Sequence, residues 1–132
     1  MIQSNELRTG NYILVDNEMK RVCSIKSENS NAHTSFIGFE HNNSCEYENA
    51  SSDRLGAVPI SDLILIGLGF TFHDYHKTWQ HLKPSRTATI ELNREFSAVD
   101  FSHRELVKNV QYLHLLQNLF FSIQKEELRF AL

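Results

Sequence analysis

Residues 110–121 read VQYLHLLQNLFF, a strongly apolar stretch in a chain of 132 residues. An advance of about 100° per residue places a continuous apolar row on one face of a helix. That row contains Leu106, Val110, Leu113, Leu116, Phe120 and Ile123. The pattern predicts a long C-terminal helix that packs on a sheet. A helix start at Ser102, which has capping-box spacing to Glu105, is favoured over a start at Asn109.

A polar cluster interrupts this apolar helix. His114, Gln117 and Asn118 lie at the three- and four-residue spacings that make helix neighbours. One interpretation is structural, because such a cluster can satisfy the free backbone groups of a nearby strand edge or loop. A buried unpaired polar group costs roughly 1–3 kcal/mol, which favours this interpretation. The alternative is contact with a ligand or partner, and these three residues are the candidate binding residues.

Short β-rich runs alternate with turns in the first half of the chain. They comprise residues 11–15, 19–26, 35–41 and 45–47. Met19, Cys23 and Ile25 are expected on one face of the second run, and Gly38 indicates a bulge or a close approach of neighbouring atoms. The runs predict a curved antiparallel β-sheet or a small SH3-like barrel over residues 1–58.

The second half predicts a helix, a hairpin region and the final helix over residues 59–132. Ser61 is a suitable N-cap and Gly69 a left-handed stop, and the apolar residues between them predict a short helix that is buried nearly all round. Predicted strands cover residues 71–73, 78–82, 87–92 and 96–101. We therefore expect residues 1–132 to form a single α+β domain.

Composition, charge and hydropathy argue against a disordered chain, a non-specific duplex-binding protein and a membrane-spanning protein. With 41% hydrophobic and 22% charged residues the chain is that of a folded protein, and its net charge of −3 argues against non-specific duplex binding. No apolar run approaches the roughly 20 residues of a membrane span, and the polar start lacks a signal-peptide core. Cys23 and Cys45 have no CxxC spacing, so two reduced and at least partly buried thiols are favoured over a disulfide, and a cytoplasmic location is expected.

Three blocks of the sequence occur together in one known family. They are Glu6-Leu7-Arg8-Thr9-Gly10-Asn11-Tyr12, the segment from Pro59-Ile60 through Leu68-Gly69-Phe70, and His114-Leu115-Leu116-Gln117-Asn118-Leu119-Phe120-Phe121. Their order and separations resemble a family of short uncharacterised proteins common in Bacteroidetes genomes, often in phage-derived or other mobile regions. Family members usually end the last helix with a Thr-Gly pair, where this chain has Gln124-Lys125. The resemblance implies no catalytic residues, because the family has no assigned activity.

Enzymatic and metal-binding chemistry find little support in the residue pattern. His73, His76 and His81 lie within nine residues and are weak candidates for metal ligands. A hairpin places His76 in the turn and the other two on opposing arms, so we expect no metal site and no cofactor. No GxSxG motif occurs, no cysteine has a neighbouring histidine, and no carboxylate pair stands out, so no catalytic residues are predicted.

The sequence leaves three classes of function open. A small non-enzymatic cytoplasmic interaction module is favoured, and the resemblance implies a mobile-element origin. One alternative is a nucleic-acid-binding protein that uses the small barrel, with Trp79, Tyr75 and Tyr47 as stacking residues. The other is a small hydrolase or metal-dependent enzyme. The expected partner is a protein, or a second copy bound through the helix flank of Tyr112, Leu119 and Ile123.

Overall fold

Two antiparallel sheets and two helices make up the described part of this α+β chain. The computed structural model describes residues 7–27, 35–41, 44–49, 54–81, 91–99 and 105–130. The chain divides into two compact units, Met1–Val58 and Pro59–Leu132. This boundary coincides with the one at which the sequence pattern changes from β-rich to mixed.

The first unit contains a five-stranded sheet. Its strands are β1 (Tyr12–Val15), β2 (Glu18–Ser27), β3 (Ser35–His41), β4 (Ser44–Asn49) and β5 (Leu55–Gly56), in the order β4-β3-β2-β1-β5. All described pairings are antiparallel. Strand β5, of two residues, pairs with β1, so β4 and β5 are the two edge strands of the sheet. In the described residues the sheet is antiparallel and not a closed barrel, and the four predicted strands are confirmed. Its curvature or SH3-like character stays a prediction.

A bulge in β2 determines which residues reach the core of the first unit. Val22 pairs with Phe39 and Ser24 pairs with Gly38, so Cys23 is an extra residue on its strand. The sequence alternation predicted Met19, Cys23 and Ile25 on one face, but Val22 is buried, Ile25 packs against the core and Met19 is 40% exposed. The bulge shifts the alternation by one residue. The buried core contains Leu7, Ile13, Val15, Val22, Ile37, Phe39 and Leu55.

The second unit contains another five-stranded sheet and both helices. Its elements are α1 (Asp62–Gly67), β6 (Phe70–His73), β7 (Thr78–His81), β8 (Glu91–Leu92), β9 (Ala98–Val99), β10 (Glu105–Val107) and α2 (Leu113–Gln124). The strand order β10-β9-β8-β7-β6 is a meander of sequential antiparallel neighbours. The hairpin of β6 and β7 is confirmed, and much of the strand predicted over residues 87–92 lies outside the described residues.

Helix α1 is correctly bounded but less buried than predicted. Ser61 caps it by accepting a hydrogen bond from the Ile64 backbone N–H at 3.3 Å, and Gly69 has a φ of 95°. Leu65 is fully buried, but Leu63 is 81% exposed and Ile66 is 59% exposed. A helix of six residues covers the core with one face only, so the prediction of burial all round is wrong. In the described residues, neither helix has the length and apolar character needed to cross a membrane.

Helix α2 begins later than either predicted start. Residues 105–107 form strand β10, and Asn109 has a left-handed φ of 50°. A bridge between Pro59 and Tyr112, and a hydrogen bond from the Ile60 N–H to the Gln111 carbonyl, precede the helix. These pairings hold the backbone extended, so Tyr112 becomes the N-cap, without a side-chain capping hydrogen bond.

The apolar row of α2 is confirmed in its centre and wrong at its ends. Val110, Leu113, Leu116 and Phe120 are buried, whereas Leu106 and Ile123 are 49% and 41% exposed. The Phe120 ring lies 6.3 Å from the Phe70 ring and 5.2 Å from the His81 ring, measured between centroids. The helix therefore packs on the β6–β7 hairpin of its own unit.

Candidate functional site

An aromatic pair on the β6–β7 hairpin forms one wall of a cleft in the second unit. Phe72 pairs directly with Trp79, and their rings meet edge to face with centroids 5.3 Å apart. Directly paired residues share a sheet face, as do residues two positions apart along a strand. Phe72 and Trp79 therefore lie on the same face as Phe70 and His81, which the Phe120 ring contacts, two residue pairs further along the hairpin.

The cleft beside this aromatic pair has a volume of about 450 Å³ and is lined by Asp62, Phe72, Trp79 and Arg94. Small-molecule sites in proteins commonly occupy 300–1,000 Å³ and combine apolar walls with a few polar groups. Trp79 is buried and Phe72 is half-buried, while the two charged residues are exposed. The cleft thus joins an aromatic wall to a solvent-facing rim that carries both charges.

Arg94 is presented by a tight turn between β8 and β9. The Asn93 side-chain oxygen accepts hydrogen bonds from the backbone N–H groups of Glu95 and Ser97, both at 3.0 Å. The Asn93 and Ser97 backbones are also hydrogen-bonded at 3.0 Å, and Phe96 adopts a left-handed φ of 59°. Asn and Asp side chains commonly fix turns in this way. The turn therefore holds the Arg94 backbone firmly beside the hairpin.

The Arg94 guanidinium lies over the Phe72 ring, 5.5 Å from its centroid. A cation–π contact of this kind leaves a guanidinium able to donate hydrogen bonds through its N–H groups. Within the described part of the chain, neither Arg94 nor Asp62 forms an ion pair. Two opposite charges on one cleft are thus available to a ligand.

The predicted binding residues on α2 lie mainly inside the protein. His114 is 1% exposed, Gln117 is fully buried, and Asn118 is half-buried. The Gln117 side-chain amide donates to the Leu128 carbonyl at 3.0 Å, and the rings of Tyr112 and His114 stack with centroids 6.2 Å apart. The Gln117 hydrogen bond ties the segment after α2 to the helix, which agrees with the structural interpretation for this one residue. Ligand binding by these residues stays a prediction.

The three candidate metal-binding histidines are separated by the hairpin. His73 pairs with Thr78 at the turn end, and His81 pairs with Phe70 at the other end. The His81 Nε2–H donates to the Leu68 carbonyl at 3.2 Å, and the His76 ring contacts Tyr75 in the turn. In the residues that the structure describes, no group of three or more metal-ligating side chains comes together.

The two cysteines form a disulfide, so the prediction of reduced thiols is wrong. Cys23 in β2 is bonded to Cys45 in β4, with the Cα atoms 6.3 Å apart. Strand β3 lies between these two strands, and a Cβ placed on Gly38 would lie 2.5 Å from the Cys45 sulfur. The missing side chain of Gly38 leaves the room in which the sulfur lies. This confirms the close approach predicted at Gly38.

The aromatic residues considered for nucleic-acid stacking do not share one exposed sheet face. Trp79 is 7% exposed, whereas Tyr75 is 90% exposed and lies in the turn between β6 and β7. Tyr47 is on edge strand β4 of the other unit, where its hydroxyl accepts a hydrogen bond from the Ser24 hydroxyl at 2.9 Å. Trp79 thus belongs to the buried core of its unit and also lines the cleft.

A second cleft, of about 270 Å³, lies in the first unit, but its charges are largely paired with one another. Arg54 donates two hydrogen bonds to the Asp16 carboxylate, at 2.8 and 2.6 Å. These bonds hold the pKa of Asp16 below its ordinary value. Lys20 lies 3.7 Å from Glu18 and over the Phe39 ring. This cleft therefore offers a ligand less uncompensated charge than the cleft at Arg94.

Comparison with family models, curated proteins and solved structures finds no match in any of the three.

The resemblance to the Bacteroidetes family consequently stays a prediction, and the site rests on geometry alone. Sequence reasoning missed Asp62, Phe72 and Arg94, and it considered Trp79 only as a stacking residue. The strand alternation that predicts the hairpin also places Phe72 opposite Trp79, so this pair was accessible from the sequence. The positions of Asp62 and Arg94 were not, because they depend on how a helix and a turn pack around the hairpin.

Proposed function

We propose that this protein is a non-enzymatic binding module whose cleft, lined among the described residues by Asp62, Phe72, Trp79 and Arg94, binds a small aromatic carboxylate. The observation that carries the proposal is Arg94, which lies over Phe72 at the rim of an aromatic cleft. A planar apolar group of the ligand would pack against Phe72 and Trp79. Its carboxylate would accept hydrogen bonds from the Arg94 guanidinium, a pairing that these two groups favour.

The composition of the cleft supports binding rather than catalysis. Its described lining contains one carboxylate, one guanidinium and two aromatic rings. The Asp62 carboxylate is the one group of this described lining that can act as a base or nucleophile, and no histidine, cysteine or hydroxyl group accompanies it. The hydrolase alternative required a pocket that gathers a histidine and a carboxylate. Neither described cleft has a histidine in its lining.

Three further predictions concern a nucleic-acid partner, a cytoplasmic location and a mobile-element origin. A nucleic-acid partner required an exposed basic and aromatic sheet face, which burial of Trp79 does not favour. Disulfides persist mainly in oxidising environments. The Cys23–Cys45 bond therefore removes the argument for a reducing compartment that rested on two free thiols. A cytoplasmic location and a mobile-element origin stay predictions.

Trp79 provides the test of the proposed function, because it is the only tryptophan in the chain. We would titrate the full chain with 3-phenylpropionate, excite the indole selectively, and record its emission. We expect a saturable change in the emission of Trp79. The neutral amide 3-phenylpropionamide should bind about tenfold more weakly, since it cannot form the charge-assisted hydrogen bonds to Arg94.

Two exposed variants complete this experiment. Arg94→Gln should remove the preference for the carboxylate over the amide, whereas Glu95→Gln, in the same turn but outside the described lining, should retain it. Saturable binding that is indifferent to Arg94→Gln would contradict the role of this guanidinium. If the emission of Trp79 responds to no aromatic probe, charged or neutral, the proposed function is wrong.

A further inference from the structure

The opposite charges on the cleft suggest a narrower class of ligand than aromatic carboxylates in general. Asp62 is the first residue of α1 and lines the same cleft as Arg94. Both side chains are exposed, and the described residues provide no ion pair for either one. A ligand in the cleft can therefore contact one positive group, one negative group and two aromatic rings of the protein.

We propose that the cleft recognises a zwitterion with an aromatic side chain, namely a free α-amino acid such as phenylalanine. This inference rests on the proposed function, since it takes the same cleft as the binding site. The α-carboxylate accepts hydrogen bonds from Arg94, the α-ammonium donates to Asp62, and the ring packs against Phe72 and Trp79. Each group on the cleft then has a complementary group on the ligand.

Repulsion at Asp62 contributes to this specificity. A ligand with only anionic groups brings negative charge towards the Asp62 carboxylate, and a ligand with only a cationic group leaves Arg94 without an anion. Discrimination between ligands often depends on such unfavourable contacts as much as on attractive ones. The pair Asp62 and Arg94 therefore favours a ligand of zero net charge that carries both groups.

The fixed turn that carries Arg94 supports recognition of a ligand with a fixed geometry. The Asn93 side chain holds the turn that carries Arg94, and the Phe72 ring lies against the guanidinium. A guanidinium placed in advance loses less rotamer entropy on binding than one that is free in solvent. In an α-amino acid both charged groups are attached to one carbon, so one ligand presents its carboxylate to Arg94 and its ammonium to Asp62 at the same time.

Three probes that share one side chain test the inference by isothermal titration calorimetry on the full chain. L-Phenylalanine carries both charges, N-acetyl-L-phenylalanine keeps only the carboxylate, and L-phenylalaninamide keeps only the ammonium. The last two also represent a peptide C-terminus and a peptide N-terminus. We expect phenylalanine to bind about tenfold more tightly than either derivative, as loss of one charge-assisted hydrogen bond implies.

Charge-removing variants assign each ligand group to its partner. Asp62→Asn should abolish the preference for phenylalanine over N-acetyl-L-phenylalanine, and Arg94→Gln should abolish its preference over L-phenylalaninamide. Glu95→Gln should change neither preference. Both tested residues are exposed, so the variants are expected to fold normally.

The outcomes separate this inference from the proposed function. If N-acetyl-L-phenylalanine or 3-phenylpropionate binds as tightly as phenylalanine, the zwitterion proposal is overturned while the aromatic-carboxylate site stands. Preferential binding of L-phenylalaninamide would also overturn it and would indicate a peptide N-terminus as the ligand. If none of the probes binds, both proposals fail.

Discussion

At the scale of single residues, Gly38 shows how one missing side chain permits a covalent link across a sheet. The Cys45 sulfur occupies the space next to Gly38, and it is bonded to Cys23 on the other side of β3. A sulfur held in a disulfide has little freedom to move away from a new methyl group. The close approach at Gly38 is therefore a requirement of the Cys23–Cys45 bond.

We predict that Gly38→Ala destabilises the oxidised protein by about 1–3 kcal/mol, the usual effect of overpacking. The measurement is chemical denaturation followed by circular dichroism. Gly56→Ala is the matched control, because its added Cβ would lie 3.6 Å from Leu14 in ordinary contact. In a Cys23→Ala/Cys45→Ala background the cost of Gly38→Ala should fall. An equal cost in both backgrounds would show that the sulfur is not the obstacle.

Some residue-level features were predictable from sequence and others were not. A glycine within an apolar strand indicated a close approach, and Ser61 and Gly69 indicated the two ends of α1. The partnership of Cys23 with Cys45 was not predictable. It depends on β2 and β4 both flanking β3, and on a bulge that makes Cys23 the extra residue.

At the scale of elements, α2 is stabilised by its buried central row. Leu113, Leu116 and Phe120 are each fully buried, and Phe120 contacts rings of the β6–β7 hairpin. Helices gain most of their stability in proteins from such packing rather than from intrinsic propensity. The apolar row therefore identified the helix even though its first residue was predicted wrongly.

Leu116→Ala should lower the free energy of unfolding by about 2–5 kcal/mol, through lost burial and the cavity left behind. Trp79 lies in the same unit, so its fluorescence during urea denaturation reports the relevant transition. Ile123→Ala, at an exposed position of the same helix, should cost under about 1 kcal/mol. Similar midpoints for the two variants would mean that the buried row does not stabilise this unit.

The start of α2 was mispredicted because local and non-local signals conflict there. Ser102 and Glu105 have the spacing of a capping box, which is a local pattern. In the structure, Glu105 belongs to β10 and pairs with Val99 of β9. Strand pairing thus overrides the capping signal at Glu105, while Ser102 itself lies outside the described residues.

At the scale of the whole molecule, self-association stays a prediction of the sequence. Tyr112 and Ile123 are 37% and 41% exposed, and Leu119 between them is half-buried. Exposed apolar surface on a helix often meets a second copy of the chain. We expect sedimentation equilibrium at micromolar concentration to give a dimer mass, and Ile123→Glu to give a monomer. A monomer mass for the unmodified chain throughout would exclude this dimer.

The cleft itself could be predicted only in part from the sequence. Alternation along two strands is enough to place Phe72 opposite Trp79. Asp62 lies on a helix and Arg94 in a turn, both outside the hairpin. Their position on one cleft depends on tertiary packing, which leaves no local pattern in the sequence. The site was therefore missed while most of the strands that build it were found.

The central claim is that the cleft at Phe72, Trp79 and Arg94 is a ligand-binding site. The most direct test is to record intermolecular nuclear Overhauser effects between unlabelled 3-phenylpropionate and the isotopically labelled full chain. We predict that the phenyl protons of the ligand give cross-peaks to the ring protons of Phe72 and Trp79. Cross-peaks confined to other residues, such as Phe39 or Tyr47 of the first unit, or none at saturating ligand, would contradict the claim.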